Sequence, residues 1–85
     1  MSQSPAFEAA VAASKTLSQK PANDILLQLY ALYKQATEGD APMDGPANPF
    51  DFVAKAKHDA WGGLRGKDKE TAEKEYIDLV NSLKG

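Results

Sequence analysis

The sequence predicts an all-α domain, most simply a four-helix bundle, and three observations carry that expectation. Apolar residues recur at helical spacing in four separate stretches. Residues suited to helix caps stand ahead of each stretch, and glycine or proline closes the first three. No stretch alternates apolar and polar residues with period two for long enough to make a strand.

Ser4-Pro5 reads as an N-cap and first helical residue, since proline there gives up only an amide that has no partner in any case. Phe7, Ala10, Val11, Ser14 and Leu17 then share one face until Lys20-Pro21 ends the run. A second helix begins near Asn23 or Asp24, whose side chains suit a cap, and runs to Gly39, a left-handed residue just past its end. Between Ala41 and Pro49 stand three prolines and a glycine, a density that regular elements do not carry. Asn48-Pro49 repeats the cap-then-proline signal and opens a third helix through Trp61, which Gly62-Gly63 and Gly66 end. Asp68 caps a fourth helix that reaches Lys84, with Ala72, Tyr76, Leu79, Val80 and Leu83 on one stripe.

Composition limits what such a bundle does. Eighty-five residues form one domain, 1–85, with a thin core, so a ligand is expected in a surface groove rather than a deep cavity. Cysteine is absent, which removes disulfides and thiolate chemistry. The lone histidine, His58, has no partner at metal-ligand spacing, so neither a metal nor a cofactor is expected. Ten basic against twelve acidic side chains leave a net charge of −2, which argues against a nucleic-acid partner. The sequence has no run suited to stable membrane insertion and no signal-peptide layout at its start, so a cytoplasmic, monomeric domain is the expectation.

The second helix carries more than a core needs. At about 100° per residue, Ile25, Leu29, Leu32 and Ala36 fall in one narrow arc, the ordinary buried stripe. Leu26, Tyr30, Tyr33 and Thr37 occupy a neighbouring arc, with Leu27 and Lys34 at its edge. On the third helix Val53, Ala56, Ala60 and Leu64 share a face from whose middle Lys57 projects, and Lys15 follows Ser14 on the first. Another helix covering the second face, with Lys57 snorkelling along its own stem, is the structural alternative. An aromatic groove edged by lysines suits an amphiphile with a polyanionic head. Ammoniums bind phosphate as point charges, while tyrosine rings stack on bases and donate to phosphate oxygens.

The stretch "YALYKQATEGD", followed after the proline-rich loop by "DFVAKAKHDAW" and then "YIDLV", closely resembles the acyl-CoA-binding protein family, from Phe7 to about Leu83. The resemblance implies an up-down-down-up bundle with a long loop between helices 2 and 3. It also implies non-catalytic binding of medium- or long-chain fatty acyl-CoA, and an intracellular buffer and carrier role. By position, Tyr30, Tyr33 and Lys34 serve the nucleotide end of CoA, and Lys57 joins Lys34 near the ribose 3′-phosphate. The resemblance likewise implies that Tyr76 contacts the adenosine portion, that Lys15 borders the ligand, and that Phe7, Val11, Leu26 and Leu27 line the acyl path. Gln35, Ala36, Asp40, Asp59 and Trp61 match the motif too, and are assigned to helix ends and packing. Three features depart from the family pattern: His58 stands where an aromatic residue is common, Gly62-Gly63 follows Trp61, and the 41–49 loop is one residue longer.

Two other classes compete. Catalysis would need a dyad, but His58 and Asp59 are adjacent on a helix and so point about 100° apart, and no nucleophile or glycine-rich phosphate loop is evident. A helical protein-interaction module, with the second face docking a partner helix and no small-molecule ligand, is the alternative. Lysines within that face count against it, since partner interfaces favour uncharged centres.

Overall fold

The computed structural model describes residues 4–17, 20–42 and 50–84. Four helices run in chain order: α1 (Pro5–Ser14), α2 (Asn23–Glu38), α3 (Phe52–Gly62) and α4 (Lys69–Leu83). They form the expected four-helix bundle in an up-down-down-up arrangement, and its logic is legible in which residues meet.

On α2 and α3, Leu26 meets Val53 across a shared hollow, Lys57 lies over Tyr30, and Lys34 lies over Trp61. Both numbers rise together, so the two helices run parallel. Parallel neighbours need a connection that returns the chain to its starting end, which is why a long loop separates them. By contrast α4 opposes α2: Gln28 lines a hollow with Glu75, whereas Gln35 Nε2 donates to Lys67 O at 2.7 Å. The first helix is tied to the fourth at its start, where Ser4 Oγ donates to Glu73 at 3.1 Å.

Burial follows the apolar stripes. Phe7, Ala10, Leu29, Leu32, Ala36, Ala72, Tyr76 and Val80 make the main core. A smaller cluster joins Ala31, Ala41 and Trp61 on the other flank of α2.

Helix ends depart from the sequence expectation in three places. Ser4 does cap α1, accepting from Phe7 N at 3.1 Å. The helix then stops at Ser14 instead of running on past Leu17. There Ser14 Oγ donates to Val11 O at 2.7 Å and Thr16 Oγ1 to Ala13 O, while the Lys15 amide donates to carbonyls only two and three residues back. Hydroxyls that donate to preceding carbonyls compete with helix propagation. The cap of α2 is Ala22 rather than Asn23 or Asp24; Asp24 sits in the first turn, where its carboxylate accepts from Ile25 N and faces the positive helix end. Asp51, which accepts from Ala54 N at 3.0 Å, caps α3, so that helix opens at Phe52 and not at Pro49. Asn48-Pro49 itself lies outside the described residues, as does most of the 41–49 loop.

Gly39 ends α2 as expected, with φ 86 and ψ −149. That is a mirrored extended conformation rather than the left-handed helical one, and essentially only glycine adopts it. Asp68 caps α4 by position, without a side-chain hydrogen bond of its own.

Candidate functional site

The turn that closes α2 is held by a hydrogen-bond network that reaches the segment between α3 and α4. Gln35, fully buried, donates from Nε2 to Asp40 at 2.9 Å as well as to Lys67 O. Asp40 also accepts from the Gly66 amide at 2.9 Å. That amide, helped by Gln35, holds the Asp40 carboxyl below its ordinary value of 3.8. Two side chains of the second half of α3 and one from the turn that follows it then grip the chain leaving α2. Trp61 Nε1 donates to Gly39 O at 2.7 Å, Arg65 to Ala41 O at 2.7 Å, and His58 Nε2 meets Pro42 O at 2.9 Å. Gln35, Asp40 and Trp61 thus belong to helix ends and packing, as their motif positions suggested.

Above this framework lie two hollows. The first, about 340 Å³, lies where α1, α2 and α4 meet and is lined by Val11, Lys15, Tyr30, Tyr33 and Tyr76, together with Ser14 and Leu29. Aromatic packing makes its floor. Phe7 is fully buried and stacks on Tyr33, with ring centroids 6.0 Å apart at 18°. It meets Tyr76 edge-on at 5.2 Å, and Tyr33 lies 6.3 Å from Tyr76. The Tyr76 hydroxyl donates to Ser14 Oγ at 3.1 Å, which fixes that phenol in place, while Tyr33 is 38% exposed.

The second hollow, about 400 Å³, lies between the N-terminal halves of α2 and α3. Leu26, Leu27, Phe52, Val53, Ala56 and Lys57 line it, with Asn23. Ala60 and Leu64 pack against the second core cluster, whereas Val53, earlier on the same stripe, is 66% exposed and faces Leu26 and Leu27 across the hollow. Phe52 is exposed beside it.

Tyr30 belongs to both places. It lines the first hollow, and the Lys57 ammonium of the second lies over its ring at 5.4 Å. Lys34 stands one turn further along α2, its ammonium 5.2 Å from the Trp61 ring centroid and paired with Glu38. Its pKa is raised above the ordinary 10.5, chiefly by the hydrogen bond to Glu38; partial burial opposes the rise, and the Glu38 charge and the phenols of Tyr30 and Tyr33 support it. Lys57 thus lies over Tyr30, whereas Lys34 lies over Trp61 and lines neither of the two hollows.

The structure brings Val11, Lys15, Tyr30, Tyr33 and Tyr76 together in one hollow and Leu26, Leu27 and Lys57 in the other. Phe7 lies beneath the first as support, in a place where the rings above it cover its own. Sequence reasoning missed Ser14, Phe52 and Val53 as lining residues, and Glu38 as the partner of Lys34. The last carried a signal, an acid four residues after a lysine on one helix.

A bundle with parallel second and third helices, and phenols set among lysines over apolar hollows, defines a small helical binding domain. The family model for "Acyl CoA binding protein" matches residues 4–80. Acyl-CoA-binding protein of Saccharomyces cerevisiae is 49% identical over 77 residues, covering 91% of this chain and 87% of that protein. Enoyl-CoA delta isomerase 2 of Rattus norvegicus is 54% identical over the same share of this chain, which spans only 19% of that protein. The crystal structure of Oryza sativa Acyl-CoA-Binding Protein 2 superposes with a TM-score of 0.85 at 40% identity, over 92% of this chain and 84% of that one. The chain belongs to the acyl-CoA-binding protein family.

Proposed function

We propose that this domain binds medium- to long-chain fatty acyl-CoA thioesters without converting them, and serves as a cytoplasmic, monomeric acyl-CoA buffer and carrier. The observation that carries the reading is the Lys57–Tyr30 contact, which sets a cation and a phenol at the meeting of two apolar hollows. In this assignment Lys34 and Lys57 hold the 3′-phosphate, Tyr30, Tyr33 and Tyr76 serve the nucleotide end, and Lys15 supplies a further cation from α1. Val11, Leu26 and Leu27 cover the acyl chain, with Phe7 supporting the rings from below.

The energetics suit an amphiphile. Each covered methylene contributes about 0.8 kcal/mol, offset in part by ordering the chain. The cations then decide identity, since a free fatty acid offers the tail but no 3′-phosphate. Against catalysis, His58 is engaged with Pro42 O and Asp59 with Lys55 at 3.3 Å, so the two adjacent groups address different partners. No group of metal-capable side chains is found among the described residues, and none of their helices is long and apolar enough to cross a membrane.

Calorimetry with palmitoyl-CoA, free palmitate and CoA tests the proposal. Tight binding of palmitoyl-CoA alone is expected, and equal affinity for palmitate would sink the head-group assignment. A helical protein-interaction module with no small-molecule ligand is the second reading, favoured by exposed Phe52 and Val53. It requires that the wild-type protein fail to bind palmitoyl-CoA and that Lys57→Ala alter stability instead.

A further inference from the structure

Glu38 is the last residue of α2, and its place there is not explained by the helix. A carboxylate at a helix C-terminus stands against the macrodipole. The i,i+4 pair with Lys34 also runs in the weaker order, with the cation nearer the N-terminus. What Glu38 does achieve is occupancy of Lys34. The lysine side chain is 23% exposed, pinned between the carboxylate and the Trp61 ring, while the glutamate side chain is 55% exposed and free to swing into water.

We infer that Glu38 is an internal competitor for the ligand's phosphate, holding the Lys34 ammonium in the empty protein and lowering affinity for ligands that need it. This rests on the acyl-CoA reading, and specifically on Lys34 meeting the 3′-phosphate monoester. Binding is then an exchange of anions at one ammonium: the phosphate arrives, and the carboxylate leaves to water at small cost. Ligands without a phosphate at that point do not drive the exchange and are indifferent to Glu38. The residue therefore tunes how strongly the phosphate counts.

The test is a double-mutant cycle read by calorimetry with two probes, palmitoyl-CoA and its analogue lacking the 3′-phosphate. Glu38→Gln is expected to tighten palmitoyl-CoA binding about two- to five-fold, the range of a partly exposed ion pair. The same substitution is expected to leave the dephosphorylated analogue unchanged, and to have little effect in a Lys34→Ala background. An equal gain with both probes, or in both backgrounds, overturns the inference, because Glu38 would then merely repel any incoming anion. No gain while the wild-type protein binds palmitoyl-CoA overturns it too and leaves the acyl-CoA reading standing. Failure of the wild-type protein to bind palmitoyl-CoA at all removes that reading, and this inference with it.

Discussion

The ammonium of Lys57 sits over the ring of Tyr30, 5.4 Å from its centroid, on a helix parallel to the one that carries the tyrosine. The lysine is exposed, so the contact contributes little to folding, and its placement matters mainly for what approaches from solvent. Lys57→Ala should weaken palmitoyl-CoA binding about ten- to hundred-fold, the loss of a charge-assisted contact. Its melting temperature should stay near wild type, since such surface changes are worth about 0.5 kcal/mol or less. Titration and thermal unfolding of the same preparation check both halves.

Phe7 has the opposite balance. It is fully buried under Tyr33 and Tyr76, so Phe7→Ala should cost about 3–5 kcal/mol of stability. Urea denaturation measures that directly. A near-neutral result would mean that the aromatic floor collapses to fill the gap.

Acyl length gives a third measurement. Across a saturated series, affinity should rise with each methylene until the tail outruns the hollows, by at most about 0.8 kcal/mol per group. A flat series would place the tail in water and leave Leu26 and Leu27 without a ligand role.

Asp40 gives a pH-dependent expectation. Its folded pKa lies below 3.8, held there by the Gly66 amide and Gln35. The carboxylate therefore contributes stability in full above 3.8, and that contribution is lost as pH falls through the depressed folded value. Asp40→Asn should lower stability at neutral pH and flatten its decline through the acid limb, as followed by circular dichroism. Parallel acid limbs in the two proteins would remove Asp40 from the network that closes α2.

His58 hydrogen-bonds Pro42 O and meets Trp61 edge-on at 6.5 Å. His58→Ala should cost about 1 kcal/mol, with faster amide exchange at Gly39 and Ala41 as the sign that the grip of α3 on that segment has loosened.

Much of this was readable from the chain, for a definite reason. Periodicity reports which residues share a helix face, so Leu29, Leu32 and Ala36 were assigned to the core and are buried there. The second arc of α2 likewise forms the walls of both hollows. Periodicity is silent on what covers a face: Val53 stands in solvent while Ala60, on the same stripe, is packed against the second cluster. Helix ends depend on single hydrogen bonds. Ser14 and Thr16 spend their hydroxyls on carbonyls behind them and stop α1 early, a choice that composition does not announce. The pairing of Lys34 with Glu38 has its signal in the spacing, but only the structure shows the ion pair formed, with Lys34 held against Trp61.

Trp61 is the only tryptophan in the chain. Its indole is anchored to Gly39 O and roofed by the Lys34 ammonium. Any event that draws that ammonium away changes the electric field on the one dominant fluorophore. Under the proposed assignment of Lys34 the indole becomes an optical gauge of head-group occupancy, and its emission can be followed in rapid mixing without attaching a dye.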